Sequence, residues 1–475
     1  MVVSKEVKPH IALLPSPGMG HITPLFEFAK RLVTNHGILV SFLVITADAS
    51  AAQTQLFQSP DIPAGICIVN IPPVDMSNVI NENTLVLSRV CLTVQESLKL
   101  LRSILVEVKP KVLIVDLFTS QAIEVARELS ISVYSFYTAS AGLLAFSLYL
   151  PTLDREVEGE YVDLLEPIKV PGTRPERIED LLDQVRNRKI DEYKWFLFHM
   201  SRLALVDGIL ENSWEDLEPL SLKAVREHEY YKTVQAPPVY PIGPLIKPDE
   251  FITDKDARIF TWLDNQPPDS VLFVAFGSGG TLTSEQLTEL AWGLEMSEQR
   301  FILVARNPSD ASASAAFFNV GGDQNDPSTY LPEGFAERTQ GVGLIVHSWV
   351  PQAAILGHSS SGAFLSHCGW NSSLESLSHG VPILAWPLYA EQRMNATLLE
   401  EGVGVAVKPV VQPGKKVVGR EEIERVVRLI MEGEEGKVMR RRAEQLKESA
   451  DTALSCGGSS YNSVCQVVDI WKSLV

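Results

Sequence analysis

The sequence is poor in cysteine, and its few cysteines form no recognisable framework. Five occur among 475 residues: Cys67, Cys91, Cys368, Cys456 and Cys465. Their spacing fits neither a disulfide-stapled domain nor a zinc-binding knuckle. We therefore expect free thiols and a reducing compartment.

The chain also lacks a long, purely apolar run. The longest stretch without a charged residue or histidine covers residues 129–153, and several hydroxyl side chains and Pro151 interrupt it. That pattern favours a buried strand followed by a buried helix over a membrane span. Residues 1–10 carry Lys and Glu rather than the apolar centre of a signal peptide. The sequence thus predicts a cytoplasmic protein with no membrane span.

Positive charge is scarce as well. Lys and Arg number 41 against 59 Asp and Glu, which gives a formal net charge of -18. Such a surface repels nucleic acid and anionic membranes, so neither is expected as a partner. The hydrophobic fraction of 45% is typical of a globular protein, and 475 residues exceed what one core usually holds. Two or three domains are therefore expected.

A complete dinucleotide-binding fingerprint is missing. The turn after the first predicted strand contains Gly18 and Gly20, but Thr23 stands where a third glycine would be required, and Pro24 follows it. A Gly-x-Gly pair alone does not build the pyrophosphate turn of such sites. The sequence therefore argues against bound NAD.

What the chain does contain is a regular alternation of short β-branched runs and segments of helical period. We predict strands at residues 10–14, 39–45, 112–115, 131–136 and 208–211, and again at 271–276, 301–305, 343–346, 362–366 and 383–385. Helices are predicted at residues 23–36, 120–129 and 284–296. Strands alternating with helices indicate α/β architecture with parallel sheets.

Prolines cluster at residues 237–248 and separate the two series of strands. We interpret them as a stiff connection between two Rossmann-like domains, residues 1–245 and residues 246–458. The apolar positions of residues 459–475 predict a last helix that packs back on the rest. Residues 307–329, rich in Ser, Ala, Gly, Asp and Asn, predict an irregular excursion.

The most informative stretch lies between Trp349 and Gln392. A predicted strand ends near His367, Gly369 follows, and a helix opens at Asn371 or Ser372. The first turn of a helix presents unsatisfied N–H groups and the positive end of its dipole, which suits a diphosphate. Trp349 adds a flat face on which a base could stack.

Each of these residues also has a structural interpretation. Ser372 and Glu375 have the spacing of a capping box, so they could serve only to cap the N-terminus of a helix. Trp349 and Trp386 could be core aromatics, as isolated tryptophans usually are.

Taken together, the spaced residues of this stretch resemble the plant secondary-product box of the family 1 UDP-glycosyltransferases. The residues that carry the resemblance are Trp349, Pro351, Gln352, His367, Cys368, Gly369, Trp370, Asn371, Ser372, Glu375, Gly380, Pro382, Trp386, Pro387, Glu391 and Gln392. The likeness extends through both halves of the chain and is closest to the hydroquinone and monolignol glucosyltransferase branch. It implies a GT-B fold, in which two Rossmann-like domains face each other across a cleft.

The resemblance also implies a role for each donor-site residue. The Val350 backbone would pair with uracil, Gln352 and Glu375 would hold the ribose, and His367, Asn371, Ser372 and Ser278 would bind phosphate. Trp370, Glu391 and Gln392 would hold the sugar. Glu391 departs from the usual Asp and could shift sugar preference, whereas Gln392 matches the version associated with glucose donors.

A hydroxyl acceptor needs a base, and the first half of the chain offers one. His21 follows the first predicted strand, and Asp116 ends the strand predicted at residues 112–115, so both should emerge at the carboxyl edge of one sheet. A neutral histidine suits this role at neutral pH, and Asp116 can fix its tautomer. The family's catalytic dyad matches these positions. The structural alternative is that His21 merely caps a helix.

The acceptor should lie in the first domain, near His21. Aromatic candidates for its pocket are Phe118, Tyr137, Phe146 and Tyr149, with Glu82 on a neighbouring helix. Aromatic runs of this kind are more often core than pocket, so that alternative stays open.

The resemblance therefore implies an inverting transferase that moves glucose from UDP-glucose to a small aromatic acceptor and forms a β-O-glucoside. UDP-glucose would be a co-substrate, and no cofactor or metal would be needed because helix dipole and hydrogen-bond donors stabilise departing UDP. We expect a monomer. Two alternatives remain: a nucleotide-sugar epimerase of the same architecture, and a non-catalytic nucleotide-sugar sensor, which would leave His21 and Asp116 without a task.

Overall fold

The computed structural model of the protein describes residues 8–47, 49–59, 62–81, 83–247, 256–314, 317, 329–347 and 350–474. The chain forms two compact units. The first comprises residues 1–246 and 452–475, and the second comprises residues 247–451.

The first unit is built on a parallel sheet to which its described residues contribute seven strands. The strands are β1 (His10–Leu14), β2 (Leu39–Ile45), β3 (Ile66–Ile71), β4 (Val112–Asp116), β5 (Ser132–Tyr137), β6 (Gly208–Glu211) and β7 (Val239–Pro241). Their order is β3-β2-β1-β4-β5-β6-β7, and every pairing is parallel. The order reverses between β1 and β4, which is where ligands bind in doubly wound sheets.

Helices cover this sheet. They are α1 (Met19–His36), α2 (Ala51–Phe57), α3 (Val86–Ser97), α4 (Leu101–Val108), α5 (Ile123–Glu128), α6 (Ala141–Glu156), α7 (Asp191–Ser201), α8 (Pro219–Glu227), α9 (Glu229–Thr233) and, from the end of the chain, a helix at Ser459–Lys472. The buried strand and helix predicted within residues 129–153 are β5 and α6, which confirms that interpretation.

Helix α1 begins four residues earlier than the predicted residue 23. Gly18 is the residue before it, with φ of 116°, a backbone conformation that side chains disfavour. The N–H of Ile22 already donates to the Gly18 carbonyl at 3.0 Å. His21 therefore lies in the first turn of the helix and not in the preceding loop.

The proline-rich segment contains more structure than a connection. Val239–Pro241 pairs with β6 as the edge strand of the first sheet. An edge strand tolerates proline because the outer side of its backbone has no partner to lose. The prediction of a plain connection there was wrong for these residues.

The second unit repeats the same plan. Its strands are β8 (Val271–Ala275), β9 (Arg300–Val304), β10 (Gly343–Val346), β11 (Ser361–Ser366), β12 (Ile383–Ala385) and β13 (Ala406–Val407), ordered β10-β9-β8-β11-β12-β13 and all parallel. Its helices are α10 (Ala257–Asp264), α11 (Ser284–Ser297), α12 (Phe335–Arg338), α13 (Gln352–Leu356), α14 (Trp370–His379), α15 (Gln392–Thr397), α16 (Arg420–Glu432) and α17 (Glu434–Leu454). The helix at Ser459–Lys472 is α18. The order reverses between β8 and β11.

Both sheets are buried by apolar side chains. Strand β1 reads Ile-Ala-Leu-Leu after His10, and these four side chains are fully buried. Helix α18 belongs to the core of the first unit, where Trp471 is 0% exposed and packs edge-on against Tyr134 with ring centroids 5.3 Å apart. Burial of such a large ring makes α18 an integral part of that unit.

Among the residues that the structure describes, none of the helices combines the length and the hydropathy needed to cross a bilayer.

Candidate functional site

The first candidate site lies where the order of the first sheet reverses. His21 in α1 and Asp116 at the end of β4 meet there, with Nδ1 of His21 3.0 Å from Oδ2 and 3.2 Å from Oδ1 of Asp116. Asp116 is fully buried, whereas 19% of the His21 side chain is exposed. The pair thus has a buried carboxylate behind a ring that solvent or a ligand can reach.

The surroundings of Asp116 stabilise its charge. Burial alone would raise the pKa of Asp116, but attraction to His21 and hydrogen bonds from His21, Ser16 and the Leu117 backbone outweigh burial and lower that pKa below its usual value. Thr119 accepts from the Asp116 backbone N–H at 2.8 Å and donates to the Leu14 carbonyl at 2.9 Å. The carboxylate is therefore ionised and held in place at neutral pH.

Phe118 is the aromatic neighbour of His21, with ring centroids 5.4 Å apart. Phe118 also packs against His199 of α7, with ring centroids 5.7 Å apart. Ser120 and Cys91 contact the two ring nitrogens of His199 at 2.7 and 3.3 Å. Burial, followed by repulsion from Arg202, lowers the pKa of His199 to about 3, so this ring is neutral. The contact with the buried His199 ring thus holds Phe118 beside His21.

The other predicted acceptor residues are placed differently. Tyr137 and Phe146 are 0% exposed, and the Tyr137 hydroxyl is 2.7 Å from Oγ of Ser147, so both rings are core residues. A ring without exposed surface cannot line a pocket unless its neighbours move. Tyr149 is partly exposed and donates to Glu156 at 3.1 Å. Glu82 lies outside the described residues.

The second candidate site lies at the reversal of the second sheet. The imidazole of His367, after β11, is enclosed by two glycines. A Cβ atom on Gly277 would lie 2.4 Å from Cε1 of His367, and a Cβ atom on Gly369 would lie 2.5 Å from its Nε2. Burial, and then the charge of Arg306, lowers the pKa of His367 to about 4. The ring is therefore neutral and is held against two backbone segments.

Helix α14 begins at Trp370, and Gly369 is its N-cap. The predicted capping box would have started the helix at Ser372, but no side chain caps it, so that alternative was wrong. Trp370 is buried and Asn371 is partly exposed within the first turn. The first turn of this ten-residue helix thus presents its N–H groups beside His367, as a phosphate site requires.

Three predicted donor residues form one hydrogen-bonded group. The Gln352 side-chain NH₂ donates to Oγ of Ser372 at 3.0 Å and to Oε2 of Glu375 at 2.5 Å. Burial raises the pKa of Glu375 to about 7, although Gln352 and Lys247 act in the opposite direction. Val350 is buried just before α13. Trp349 lies outside the described residues.

Glu391 and Gln392 stand at the start of α15. The Gln392 carboxamide oxygen accepts from the backbone N–H groups of Leu388 and Tyr389 at 2.9 and 3.0 Å. Asn395 donates to the Cys368 carbonyl at 3.0 Å and to Oε1 of Glu391 at 3.3 Å. Glu391 is therefore linked through Asn395 to Cys368, which precedes α14, whereas Gln392 is tied to the residues that precede α15.

Two features of this site escaped the sequence interpretation. Arg306 follows β9, and its guanidinium donates to the carbonyls of Ser278 and Gly280 at 2.9 and 3.4 Å. Asn395 links Glu391 to Cys368. Neither residue belongs to a spacing pattern, so only their position in space identifies them. Among the described residues, no group of three or more His, Cys, Asp or Glu side chains is placed to hold a metal ion.

The two sheets and their reversal points define a protein of the doubly wound nucleotide-binding class. Residues 260–440 match the family described as UDP-glucoronosyl and UDP-glucosyl transferase. The chain is 46% identical to anthocyanidin 3-O-glucosyltransferase 5 of Manihot esculenta, covering 98% of this chain and 96% of that one. It is also 46% identical to hydroquinone glucosyltransferase of Rauvolfia serpentina, covering 99% of both.

A solved structure is similar to this chain in both fold and sequence. The crystal structure of TcCGT1 in complex with UDP matches with a TM-score of 0.92 and 45% identity, covering 98% of this chain and 100% of that chain. The chain belongs to the UDP-glucoronosyl and UDP-glucosyl transferase family, has the two parallel-sheet domains of the GT-B class and is a UDP-glycosyltransferase.

Proposed function

We propose that the protein is an inverting glucosyltransferase that transfers glucose from UDP-glucose to a hydroxyl of a small phenolic acceptor. The observation that carries this proposal is the pairing of His21 with buried Asp116, next to the aromatic ring of Phe118. The names of the relatives, which act on hydroquinone and anthocyanidins, support a phenolic acceptor.

His21 would act as the general base. Asp116 accepts a hydrogen bond from Nδ1–H of His21, so the proton of the neutral ring stays on Nδ1 and the lone pair of Nε2 can take the proton of an acceptor hydroxyl. The oxygen then attacks the anomeric carbon of glucose, the bond to UDP breaks, and an α-linked donor gives a β-glucoside. Asp116 stabilises the imidazolium that forms, as in the Ser-His-Asp arrangement.

The second unit would hold UDP-glucose. Negative charge develops on the diphosphate as UDP leaves, and the first turn of α14, with Asn371 and Ser372, would stabilise it together with His367 and Ser278. Gln352 and Glu375 would hold the ribose, Val350 and Trp349 the uracil, and Trp370, Glu391 and Gln392 the sugar. We propose that this reaction uses no metal or cofactor and that the protein works as a monomer. A cytoplasmic location is consistent with its five free cysteines, because the cytoplasm keeps thiols reduced.

The test is a pair of substitutions in the purified protein. His21→Ala and Asp116→Asn should each abolish phenol-dependent UDP release while leaving UDP binding intact in titration calorimetry. His36→Ala, at the other end of α1, is the matched control and should keep full activity. Full activity of His21→Ala would overturn the base assignment. UDP release that needs no added phenol would contradict transfer to an acceptor.

A further inference from the structure

Helix α15 carries a buried asparagine that the predicted donor site did not include. Asn395 is 0% exposed, and its side-chain NH₂ donates to the Cys368 carbonyl at 3.0 Å and to Oε1 of Glu391 at 3.3 Å. Residues four positions apart lie on one face of a helix, so Asn395 lies next to Glu391 at the start of α15. One amide thus joins the segment before α14 to a residue assigned to the sugar.

We propose that Asn395 is a positioning residue for donor binding: it holds the Cys368 peptide, which precedes the phosphate-binding turn, and the Glu391 carboxylate of the sugar site in one arrangement. This inference rests on the proposed function, because the phosphate and sugar contacts that Asn395 orients belong to that proposal. Asn395 is fully buried and need not touch the donor.

The Cys368 backbone has an unusual conformation that requires support. Its φ is 63°, in the left-handed region that a side chain disfavours. Two side chains bind this backbone: Oγ of Ser366 accepts from the Cys368 N–H at 3.2 Å, and Asn395 donates to the Cys368 carbonyl. Without the Asn395 amide the carbonyl loses this donor, and the peptide is freer to leave its left-handed conformation.

The direction of this carbonyl sets the direction of the next N–H. A trans peptide is planar, so the Cys368 C=O and the Gly369 N–H point in opposite directions. Gly369 is the N-cap of α14, whose first turn we assign to the diphosphate. By fixing the carbonyl, Asn395 therefore fixes how the chain enters the phosphate-binding turn.

The second hydrogen bond restrains Glu391. A glutamate stands where the resemblance makes an aspartate usual, and its longer side chain has one more rotatable bond. A carboxylate on that longer arm can sample more rotamers, and ordering it on ligand binding costs entropy. The bond from Asn395 to Oε1 removes part of this freedom before the donor arrives. Asn395 thus compensates for the added length of Glu391.

The amide can face these partners in one way only. The Cys368 carbonyl and the Glu391 carboxylate both accept hydrogen bonds, so the NH₂ end must point at them and give each one hydrogen. Oδ1 of Asn395 is then buried without a hydrogen-bond partner among the described residues. Such an atom costs stability, and a leucine of similar shape would avoid that cost. The need for two donors therefore explains an asparagine here better than stability does.

The experiment compares Asn395→Leu, which keeps the shape and loses both donors, with Asn395→Ala, which also leaves a cavity. Titration calorimetry of the purified protein measures the affinities for UDP and UDP-glucose. We expect both variants to bind UDP about tenfold more weakly, the effect of one lost hydrogen bond at the phosphate site. The affinity for UDP-glucose should fall further than that for UDP, because Glu391 is released as well.

Asn265→Ala is the matched control. Asn265 is exposed at the end of α10 in the same unit, and its NH₂ donates to the Thr261 carbonyl at 2.7 Å. This variant should bind both ligands like the unsubstituted protein. General destabilisation lowers the fraction of protein that binds, which the titration reports as stoichiometry, and leaves the affinity of the folded fraction unchanged. Unchanged affinities with a lower stoichiometry in Asn395→Leu would therefore overturn the inference.

Glu391→Ala separates this inference from the proposed function. If Glu391→Ala weakens UDP-glucose binding while Asn395→Leu binds both ligands normally, the sugar contact stands and the positioning role is wrong. If Glu391→Ala binds UDP-glucose normally, the sugar assignment is wrong, and the UDP affinity of Asn395→Leu still decides the link to the phosphate-binding turn.

The two Asn395 variants separate the lost donors from the lost volume. Weaker binding by Asn395→Ala but not by Asn395→Leu would assign the effect to the cavity and overturn the role of the two donors. If Asn395→Leu does not fold, unchanged affinities of Asn395→Ala contradict the inference, because that variant also lacks both donors.

Discussion

Gly369 approaches His367 so closely that a Cβ atom at position 369 would lie 2.5 Å from Nε2 of the imidazole. The φ of Gly369 is -60°, which any residue can adopt, so the glycine is required for space and not for backbone conformation. Real Cβ atoms do not stand that close to a ring nitrogen. A side chain at position 369 must therefore displace either the His367 ring or the start of α14.

Gly369→Ala should weaken UDP binding by at least about tenfold, because a displaced ring or helix terminus misplaces the phosphate donors. The measurement is calorimetric titration with UDP. Gly341→Ala is a close control: position 341 lies on the surface of the same unit, and an added Cβ there would meet no atom within 4 Å. Equal affinities of the two variants would refute the assignment of His367 and Gly369 to phosphate binding.

The sequence predicted this site because its residues are close along the chain. His367, Gly369 and Ser372 lie within six positions, and a strand, a turn and a helix suffice to bring them together. Arg306 and Asn395 were missed because each reaches the site from a separate element, after β9 and within α15.

The sequence misplaced two elements because a local pattern was misleading. The spacing of Ser372 and Glu375 suggested a capping box, but α14 begins at Trp370 after Gly369, and Glu375 accepts from Gln352 instead. Pro241 suggested a connection, yet the edge of a sheet accommodates it. Predicted strands were accurate because buried runs such as β2 and β6 have no competing pattern.

The raised pKa of Glu375 predicts pH-dependent donor binding. Burial holds that pKa at about 7, so the carboxyl is protonated below pH 7 and ionised above it. Ribose hydroxyls donate to a carboxylate better than to a carboxylic acid, so UDP-glucose affinity should rise as pH increases from 6 to 8. UDP-glucose is the correct probe because its diphosphate diester does not titrate in this range.

Glu375→Gln should bind UDP-glucose with an affinity that no longer changes between pH 6 and pH 8. The free energy of unfolding should also depend on the ionisation of Glu375. Since the folded pKa is raised above the unfolded value of 4.5, only the folded state holds the proton between about pH 4.5 and 7, so the free energy of unfolding should fall across that range and this group should add no further change above it. A pH-independent affinity in the unsubstituted protein would contradict the predicted role of Glu375 at the ribose.

The stability of the first unit should depend on the last helix of the chain. Trp471 of α18 is fully buried among the residues that cover β1 and β5, whereas Ile470 beside it is 36% exposed. Trp471→Ala should cost about 3–5 kcal/mol of unfolding free energy, because it removes a large ring and leaves a cavity. Ile470→Ala should change that free energy by no more than about 0.5 kcal/mol.

Differential scanning calorimetry is the suitable measurement, because a protein with two compact units need not unfold in one step. UDP-glucose should raise the midpoint of the second unit's transition, since a ligand stabilises the folded form it binds, and this identifies the other transition as that of the first unit. Trp471→Ala should lower the midpoint of that first-unit transition. An unchanged midpoint would show that α18 does not contribute to the core in which the structure places it.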